Sequence, residues 1–193
     1  MSVRRAGKED RAAVGRLLDE AFRDDPVSVW VFPDEAERRA RNGILLGVFL
    51  DVAFAEGRVE VTEDGAAAAL WLPVPAGPQR DDDTPALVRQ AVAPDNERIE
   101  LVGKLVESAH PRGRAHEYLQ LVAVAPERQG QGLGGALLRA ALDRCDREGT
   151  PAYLEASTVR SRGLYERLGF VQLGPALVLP DGPSMWPMWR APR

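Results

Sequence analysis

A glycine-rich segment joins a predicted β-strand to a predicted amphipathic helix in the second half of the chain. The strand covers Tyr118–Val124, and the helix carries apolar side chains on one face, at Leu137, Leu138, Ala141, Leu142 and Cys145. A helix N-terminus exposes unpaired backbone N–H groups and a partial positive charge, so a glycine loop that leads into it suits a phosphate or diphosphate. The order of strand, loop and helix indicates an α/β domain with an anion-binding turn, although a tight turn without a ligand has the same order.

Hydrophobic periodicity and turn residues predict alternating helices and strands along the rest of the chain. Helices are expected from about residue 8 to Arg23, over Glu35–Glu56, around residues 99–106 and over Arg160–Leu168, the last capped by a left-handed Gly169. Strands are expected over Val59–Thr62, Ala66–Leu72, Ala152–Ala156, Leu177–Leu179 and Met185–Trp189. The first two of these strands form a hairpin, because Asp64-Gly65 between them is a strong turn signal.

The segment from Pro73 to Pro85 is rich in proline, glycine and aspartate, and it includes the acidic run Asp81–Asp83. This composition indicates the most mobile part of the chain. It could act as a lid or be a solvated loop. We favour the loop, because acidic turn runs usually face solvent.

Composition argues against several classes of protein. A net charge of −4 gives no basic field to attract nucleic acid. One cysteine, Cys145, and two histidines, His110 and His116, cannot supply the spacing of a zinc site, so no metal is expected. The apolar window Gly43–Ala55 is too short to cross a membrane, and no apolar region follows the charged start, so we expect a cytoplasmic protein. No P-loop Gly-Lys-Ser/Thr follows the glycine loop, which makes ATP a poor candidate.

Two motifs resemble signatures of the GNAT (GCN5-related N-acetyltransferase) family. Residues Gln129–Gly134 read Gln-Gly-Gln-Gly-Leu-Gly and are similar to the family's Q/R-x-x-G-x-G/A loop. Residues Tyr165–Phe170 read Tyr-Glu-Arg-Leu-Gly-Phe and resemble its second signature, about thirty residues downstream. The closing Gly182-Pro183, Trp186 and Met188-Trp189-Arg190 look like the tail of the branch that contains puromycin N-acetyltransferase.

The resemblance implies a fold and a cosubstrate. The fold is a mixed, mostly antiparallel sheet flanked by helices, with a V-shaped split that holds acetyl-CoA. The resemblance implies that pantetheine pairs with backbone groups near Val122 and Val124 and that the loop binds the diphosphate. The remaining cofactor-binding residues that it implies are Gln129, Gly130, Gln131, Gly132, Leu133, Gly134, Gly135 and Ser161.

Amide formation requires a neutral amine, a polarised thioester and a proton for the departing thiolate, so a base and an acid should converge. Tyr165 matches the family's proton donor and is our candidate acid. Glu155 is a candidate base acting through water, or else an ion-pair partner of an arginine. Glu117 and Gln120 border the expected cleft, but strand alternation allows only one of them to face the substrate, and the base is left unassigned. Cys145 lies on an apolar stripe and is expected to be core, which favours direct transfer in a ternary complex.

The sequence therefore predicts a single acetyltransferase domain over residues 1–193. Residues 1–115 are expected to shape the acceptor site, and residues 116–193 to bind acetyl-CoA. The predicted acceptor is a primary amine of a small molecule. A protein or peptide amine, or a non-catalytic acyl-CoA sensor, is the alternative. We expect no nucleic acid or membrane partner, and a monomer or homodimer.

Overall fold

Helices and strands alternate along the chain, and the computed structural model describes residues 2–77, 83–92 and 96–193. The helices in these ranges are α1 (Arg11–Phe22), α2 (Pro26–Val31), α3 (Glu35–Glu56), α4 (Thr84–Ala91), α5 (Glu97–Ala109), α6 (Leu133–Glu148) and α7 (Val159–Arg167). The strands are β1 (Val3–Arg5), β2 (Arg58–Thr62), β3 (Ala67–Val74), β4 (His116–Val124), β5 (Ala152–Ala156), β6 (Val171–Gln172), β7 (Leu177–Val178) and β8 (Ser184–Arg190).

The strands form one mixed sheet in the order β1-β2-β3-β4-β5-β8-β6, with β7 paired to β8. Every described strand pair is antiparallel except β4 with β5, which run parallel. Helices cover both faces of this sheet. The predicted mixed, mostly antiparallel sheet flanked by helices is confirmed.

Each face of the sheet has its own apolar layer. On the α6 face, α6 and α7 pack on alternate strand residues, which include Ala67, Ala69, Trp71, Leu119, Leu154 and Ala156. On the α3 face, α1 and α3 pack on the intervening residues, which include Val59, Val61, Ala68, Leu70 and Ala123. Leu137 and Leu138 of α6 are almost fully buried, and burial of each stabilises the fold by about 1.5–3 kcal/mol.

The glycines that end the two C-terminal helices behave as their sequence positions suggest. Gly149 follows α6 with φ +65°, and Gly169 follows α7 with φ +92°, so both adopt the left-handed conformation. The left-handed Gly169 that the sequence predicts is confirmed.

The sequence patterns miss two of the helices. In α2, the Asp25 side chain accepts a hydrogen bond from the Val27 N–H and Pro26 takes the first helical position, so local capping creates a helix too short for a periodic signal. Helix α4 begins at Thr84, inside the segment that the sequence indicates as mobile. Residues 78–82 of that segment, which include Asp81 and Asp82, lie outside the described residues.

Candidate functional site

Strands β4 and β5 separate almost as soon as they pair. Their register contains two pairs, Glu117 with Ala152 and Tyr118 with Tyr153. Strand β4 continues to Val124 and β5 to Ala156, so the described parts of both strands diverge beyond Tyr118. The sheet therefore contains a split that opens toward the glycine loop at the end of β4.

The backbone of β4 presents Val122 and Val124 to this split. The Ala125 N–H donates to Ala66 O at 2.9 Å, which sets the alternation of the antiparallel β3–β4 ladder. In such a ladder every second residue points its N–H and C=O away from the partner strand. Val122 and Val124 are those residues, so their polar backbone groups face the side on which β5 has diverged.

The glycine loop has a backbone that other residues rarely adopt. Gly130 and Gly132 have φ values of +80° and +82°, and Gly132 is the N-cap of α6. A Cβ added at Gly132 would meet no described atom within 4 Å, so the space before the helix N-terminus is open. A Cβ at Gly134 would lie only 3.3 Å from Val124 Cγ2. The loop thus combines an open concave face with a helix that packs tightly on β4.

Two glutamine side chains of the loop donate hydrogen bonds to nearby backbone carbonyl groups. Gln129 Nε2 donates to Val124 O at 3.2 Å, and Gln131 Nε2 donates to Glu127 O at 3.3 Å. Arg128 Nε donates to Gln131 Oε1 at 3.1 Å. Both glutamines were predicted to bind the cofactor, and the contacts here give their side chains a second role in holding the loop.

Helix α7 brings an arginine to the loop that the sequence analysis did not single out. Arg160 Nη2 lies 3.7 Å from the position of a Cβ on Gly130. An exposed guanidinium there adds positive charge beside the N-terminus of α6. No sequence motif marks this residue, because the contact depends on how α7 packs beside the loop. Its neighbour Ser161 uses its hydroxyl in a capping box with Thr158 at the start of α7.

Tyr165 lies in α7 and is 5% exposed, within the apolar layer of the α6 face. Its ring contacts Phe170, with centroids 5.9 Å apart. Burial raises the pKa of its phenol, and the nearby Asp25 carboxylate raises this pKa further. The phenol therefore keeps its proton across the working pH range and is available as a proton donor.

Asp25 is a second residue that the sequence analysis did not assign. Its Oδ2 accepts a hydrogen bond from Ser157 Oγ at 2.8 Å, which joins the turn between α1 and α2 to the residue that follows β5. Burial raises the pKa of Asp25, while Ser157 and backbone donors at the start of α2 oppose the rise. The turn before α2 is thereby fixed beside the open end of the split.

Glu155 projects from β5 on the face opposite Tyr165. Its neighbours Leu154 and Ala156 pack on the α6 face, so alternation places Glu155 on the α3 face. Its Oε2 accepts a 2.9 Å hydrogen bond from Tyr118 Oη. Burial raises the pKa of Glu155, hydrogen bonds with the phenols of Tyr153 and Tyr118 oppose the rise, and the resulting pKa is about 7. A carboxylate with this pKa can take up a proton near neutral pH.

Glu117 and Gln120, the two β4 residues expected to border the cleft, have different surroundings. Glu117 Oε2 lies 3.7 Å from Arg144 Nη1 of α6, in an ion-pair cluster with Glu60 and Glu148. Gln120 is the extra residue of a β-bulge, because Trp71 pairs with Leu119 whereas the preceding β3 residue pairs with Leu121. Glu117 is therefore part of a structural cluster, and Gln120 lies at the start of the split.

Cys145 and the histidines lie outside the split. Cys145 is a fully buried residue of α6, and burial raises the pKa of its thiol to about 11. His116 Nε2 and His110 Nε2 are hydrogen-bonded at 3.0 Å, beside the rings of Tyr118 and Tyr153. Within residues 2–77, 83–92 and 96–193, no group of three or more His, Cys, Asp or Glu side chains could hold a metal ion. No helix in these same ranges is long and apolar enough to span a membrane.

Comparisons with known proteins agree with this geometry. The model of the Acetyltransferase (GNAT) family matches residues 62–170, more than half of the chain. An uncharacterized N-acetyltransferase of Schizosaccharomyces pombe is 26% identical over 189 residues, covering 89% of this chain and 74% of the relative.

Two solved structures share the fold over nearly the whole chain. The first, described as histone acetyltransferase HPA2 and related acetyltransferase from Corynebacterium glutamicum, has a TM-score of 0.70 at 27% identity and covers 100% of this chain and 96% of its own. The second, arylalkylamine N-acetyltransferase 2 from Aedes aegypti, has a TM-score of 0.69 at 15% identity, with 98% of each chain covered. At that identity the second likeness is one of fold alone.

Proposed function

The chain belongs to the GNAT acetyltransferase family, and on that premise we propose that it acetylates a primary amine of a small molecule by direct transfer from acetyl-CoA in a ternary complex. The observation that carries the proposal is the β4–β5 split, which has the Glu155 carboxylate on one face and the Tyr165 phenol on the other. A base and an acid on opposite sides of one opening suit a reaction that removes a proton from nitrogen and supplies one to sulfur.

The residues around the split fit the cosubstrate. A Cβ on Gly132 would project into the open space before α6, and a diphosphate would lie where backbone N–H groups of the loop and Arg160 supply positive charge. Val122 and Val124 turn their backbone groups toward the split, where amide groups of the pantetheine arm would pair with them. The other loop residues, Gln129 to Gly135, and Ser161 at the start of α7 complete the proposed cofactor-binding set.

The residues of the chain divide the chemistry between them. When bound, acetyl-CoA supplies an activated acetyl thioester. Glu155 accepts the proton that the attacking amine loses, directly or through water, since a base with a pKa near 7 is partly ionised at neutral pH. Tyr165 donates to the departing sulfur, because burial keeps its phenol protonated. Cys145 takes no part, since a buried thiol with a pKa of about 11 is a poor nucleophile.

We further propose that the chain is a single domain in which one half binds acetyl-CoA and the other half forms the acceptor site. Residues 116–193 hold the glycine loop, Arg160, Glu155 and Tyr165, and would bind acetyl-CoA. Residues 1–115 would shape the acceptor site, and Asp25 is the contact from this half that reaches the residue after β5. Acceptor sites vary within a fold, so the identity of the amine must come from experiment.

The test is a screen of small amines and short peptides with acetyl-CoA, in which the release of free thiol is measured. We expect turnover with at least one small primary amine and faster turnover than with any peptide. Calorimetric titration with acetyl-CoA serves as the parallel binding measurement. Binding without any turnover would identify a sensor rather than an enzyme, and faster turnover of peptides would move the acceptor class to proteins.

A further inference from the structure

Two tyrosines hold the carboxylate of Glu155, and both of them contact the same histidine. Tyr118 Oη donates to Glu155 Oε2 at 2.9 Å, and the Tyr153 phenol also forms a hydrogen bond with this carboxylate. The ring centroid of His110 lies 4.9 Å from that of Tyr118 and 4.9 Å from that of Tyr153. One imidazole ring therefore touches both side chains that orient Glu155.

The His110 ring meets the two tyrosine rings at steep angles. The interplanar angle is 90° with Tyr118 and 72° with Tyr153, which is the edge-to-face arrangement that aromatic pairs favour. The centroids of the two tyrosine rings are 5.9 Å apart. Because His110 packs on both rings, it limits the movement of each.

A short chain of hydrogen bonds fixes the orientation of the His110 ring. His116 Nδ1 lies 2.7 Å from Arg114 O, and because a carbonyl oxygen can only accept, this nitrogen carries the hydrogen. In neutral His116, Nε2 then accepts a 3.0 Å hydrogen bond from His110 Nε2. The His110 ring is thus tied to the backbone through His116.

The end of α5 also contacts the Tyr153 hydroxyl. Helix α5 ends at Ala109, and its C-cap His110 donates its backbone N–H to Val106 O at 3.0 Å. Tyr153 Oη lies 3.4 Å from Ala109 O. A phenol has one hydrogen, so this long contact competes with the bond to Glu155. The position of Tyr153 beside Ala109 and His110 therefore affects how well the phenol serves the carboxylate.

We infer that His110 is a positioning residue for the proposed catalytic base, because its packing against Tyr118 and Tyr153 keeps both hydroxyls on the Glu155 carboxylate. The inference rests on the function proposed above, in which Glu155 accepts the proton of the amine. His110 acts through the two tyrosines and does not take part in the proton transfer.

Loss of this packing should increase the proton affinity of Glu155. The titratable side chains that hydrogen-bond to Glu155 are Tyr118 of β4 and Tyr153 of β5, and the residue opposite on β8 is Pro187. Both phenols stabilise the ionised carboxylate, so looser tyrosines should raise the pKa of Glu155.

Removal of the His110 side chain changes no charge beside this cluster near pH 7. Burial lowers the pKa of His110 to about 4 and also lowers the pKa of His116, so both rings are neutral there. Arg114, whose guanidinium lies over the Trp189 ring, further disfavours a charged His116. A change in the pKa of Glu155 would therefore report the contacts of His110 and not its charge.

The experiment compares pH–rate profiles of the wild type, His110→Asn and His110→Phe with one amine, so that ionisation of the amine contributes equally to all three. Asparagine removes the ring, whereas phenylalanine keeps a ring against the tyrosines. Lys104→Ala, at an exposed position of α5, is the control. If His110→Asn does not fold, His110→Gln, which also lacks the ring, replaces it.

In His110→Asn we expect the rise of kcat/KM with pH to move up by about one pH unit. At pH 7 kcat/KM should be about fivefold lower, and above about pH 9.5 it should return to the wild-type value. In His110→Phe the rise should stay at the wild-type pH, although the Tm should fall because His116 Nε2 loses its donor. Acetyl-CoA affinity should be unchanged in every variant.

A wild-type profile in His110→Asn would overturn the positioning role and leave Glu155 as the base. A loss of kcat/KM by the same factor at every pH would also overturn it, because a purely structural role has that effect. An equal displacement in His110→Phe would assign the effect to the hydrogen bond with His116 and overturn the role of ring packing. If Glu155→Gln keeps the rise, the base assignment fails, and the positioning role fails with it.

Discussion

Tyr118 Oη donates a 2.9 Å hydrogen bond to Glu155 Oε2 immediately beyond the last residue pair of β4 and β5. The bond crosses from one strand to the other at the point where they separate. It holds one carboxylate oxygen in place and stabilises the ionised form against the burial that raises its pKa. The position and the proton affinity of Glu155 therefore depend on the same contact.

Glu155 should give the reaction its pH dependence. With a pKa of about 7 in the folded protein, the carboxyl group loses its proton as the pH rises through 7, so kcat/KM should increase over that range. This increase is the ascending limb of the pH–rate profile. Glu155→Gln should lower kcat/KM by about 10²–10⁴-fold and abolish this limb. Tyr118→Phe removes a donor to the carboxylate and should move the limb to higher pH. A pH–rate profile of the three proteins is the measurement, and an unaltered limb in Glu155→Gln would exclude Glu155 as the base.

Tyr165→Phe should separate binding from chemistry. The ring and its packing on Phe170 survive, so acetyl-CoA should bind as before, while kcat falls by about 10²–10⁴-fold because the proton donor is lost. Steady-state kinetics and calorimetric titration measure the two effects. If the role of Tyr165 is purely structural, Tyr165→Phe should lower the free energy of unfolding by about 1 kcal/mol and leave kcat unchanged.

Gly132→Asp should abolish acetyl-CoA binding in a folded protein. A carboxylate would project into the space proposed for the diphosphate, and the left-handed backbone adds strain of about 1–2 kcal/mol. Gly149→Asp is the matched control, because Gly149 is also left-handed with open space around it but caps the other end of α6. Titration should show no binding for Gly132→Asp and normal binding for Gly149→Asp. Equal affinity in both variants would refute the loop assignment.

The His110–His116 pair should make the fold sensitive to acid. Burial, and to a smaller extent the neighbouring His116, lowers the pKa of His110 to about 4. Between this value and the usual 6.5, the unfolded chain binds a proton that the folded chain does not, so the contribution of His110 is complete above about pH 6.5 and is lost as the pH falls toward 4.

Melting temperatures between pH 7 and pH 4 test this effect in wild type and His110→Asn. Glu155 acts with the opposite sign in this range, since its raised pKa favours the folded state at lower pH, but below about pH 6 it is protonated in the folded state of both proteins and cancels in the comparison. The variant should lose less stability on acidification. If the two plots of Tm against pH run parallel, the pKa of His110 does not differ between the folded and unfolded states.

The loop and the sheet could be predicted from the sequence because they depend on local rules. Alternating apolar residues identify β4, and the glycines identify the turn into α6. The bulge at Gln120 could not be predicted, because it depends on the register with β3. The contact of Asp25 with Ser157 joins residues 132 positions apart and has no local signal. The resemblance to the puromycin N-acetyltransferase branch stays a prediction, and so does every catalytic and cofactor-binding assignment, including those of Tyr165, Glu155, Ser161 and the glycine loop.

The early separation of β4 and β5 gives this sheet an internal edge. Its described outer strands, β1 and β6, have only three and two residues, as is common where a protein avoids unwanted strand addition. The part of β4 beyond Tyr118 is longer, and it lies in the middle of the sheet between two helical layers. Another protein chain cannot add to it without displacing those layers. The pantetheine arm proposed to bind here is narrow and carries amide groups, so its binding at this edge would resemble the addition of a missing strand.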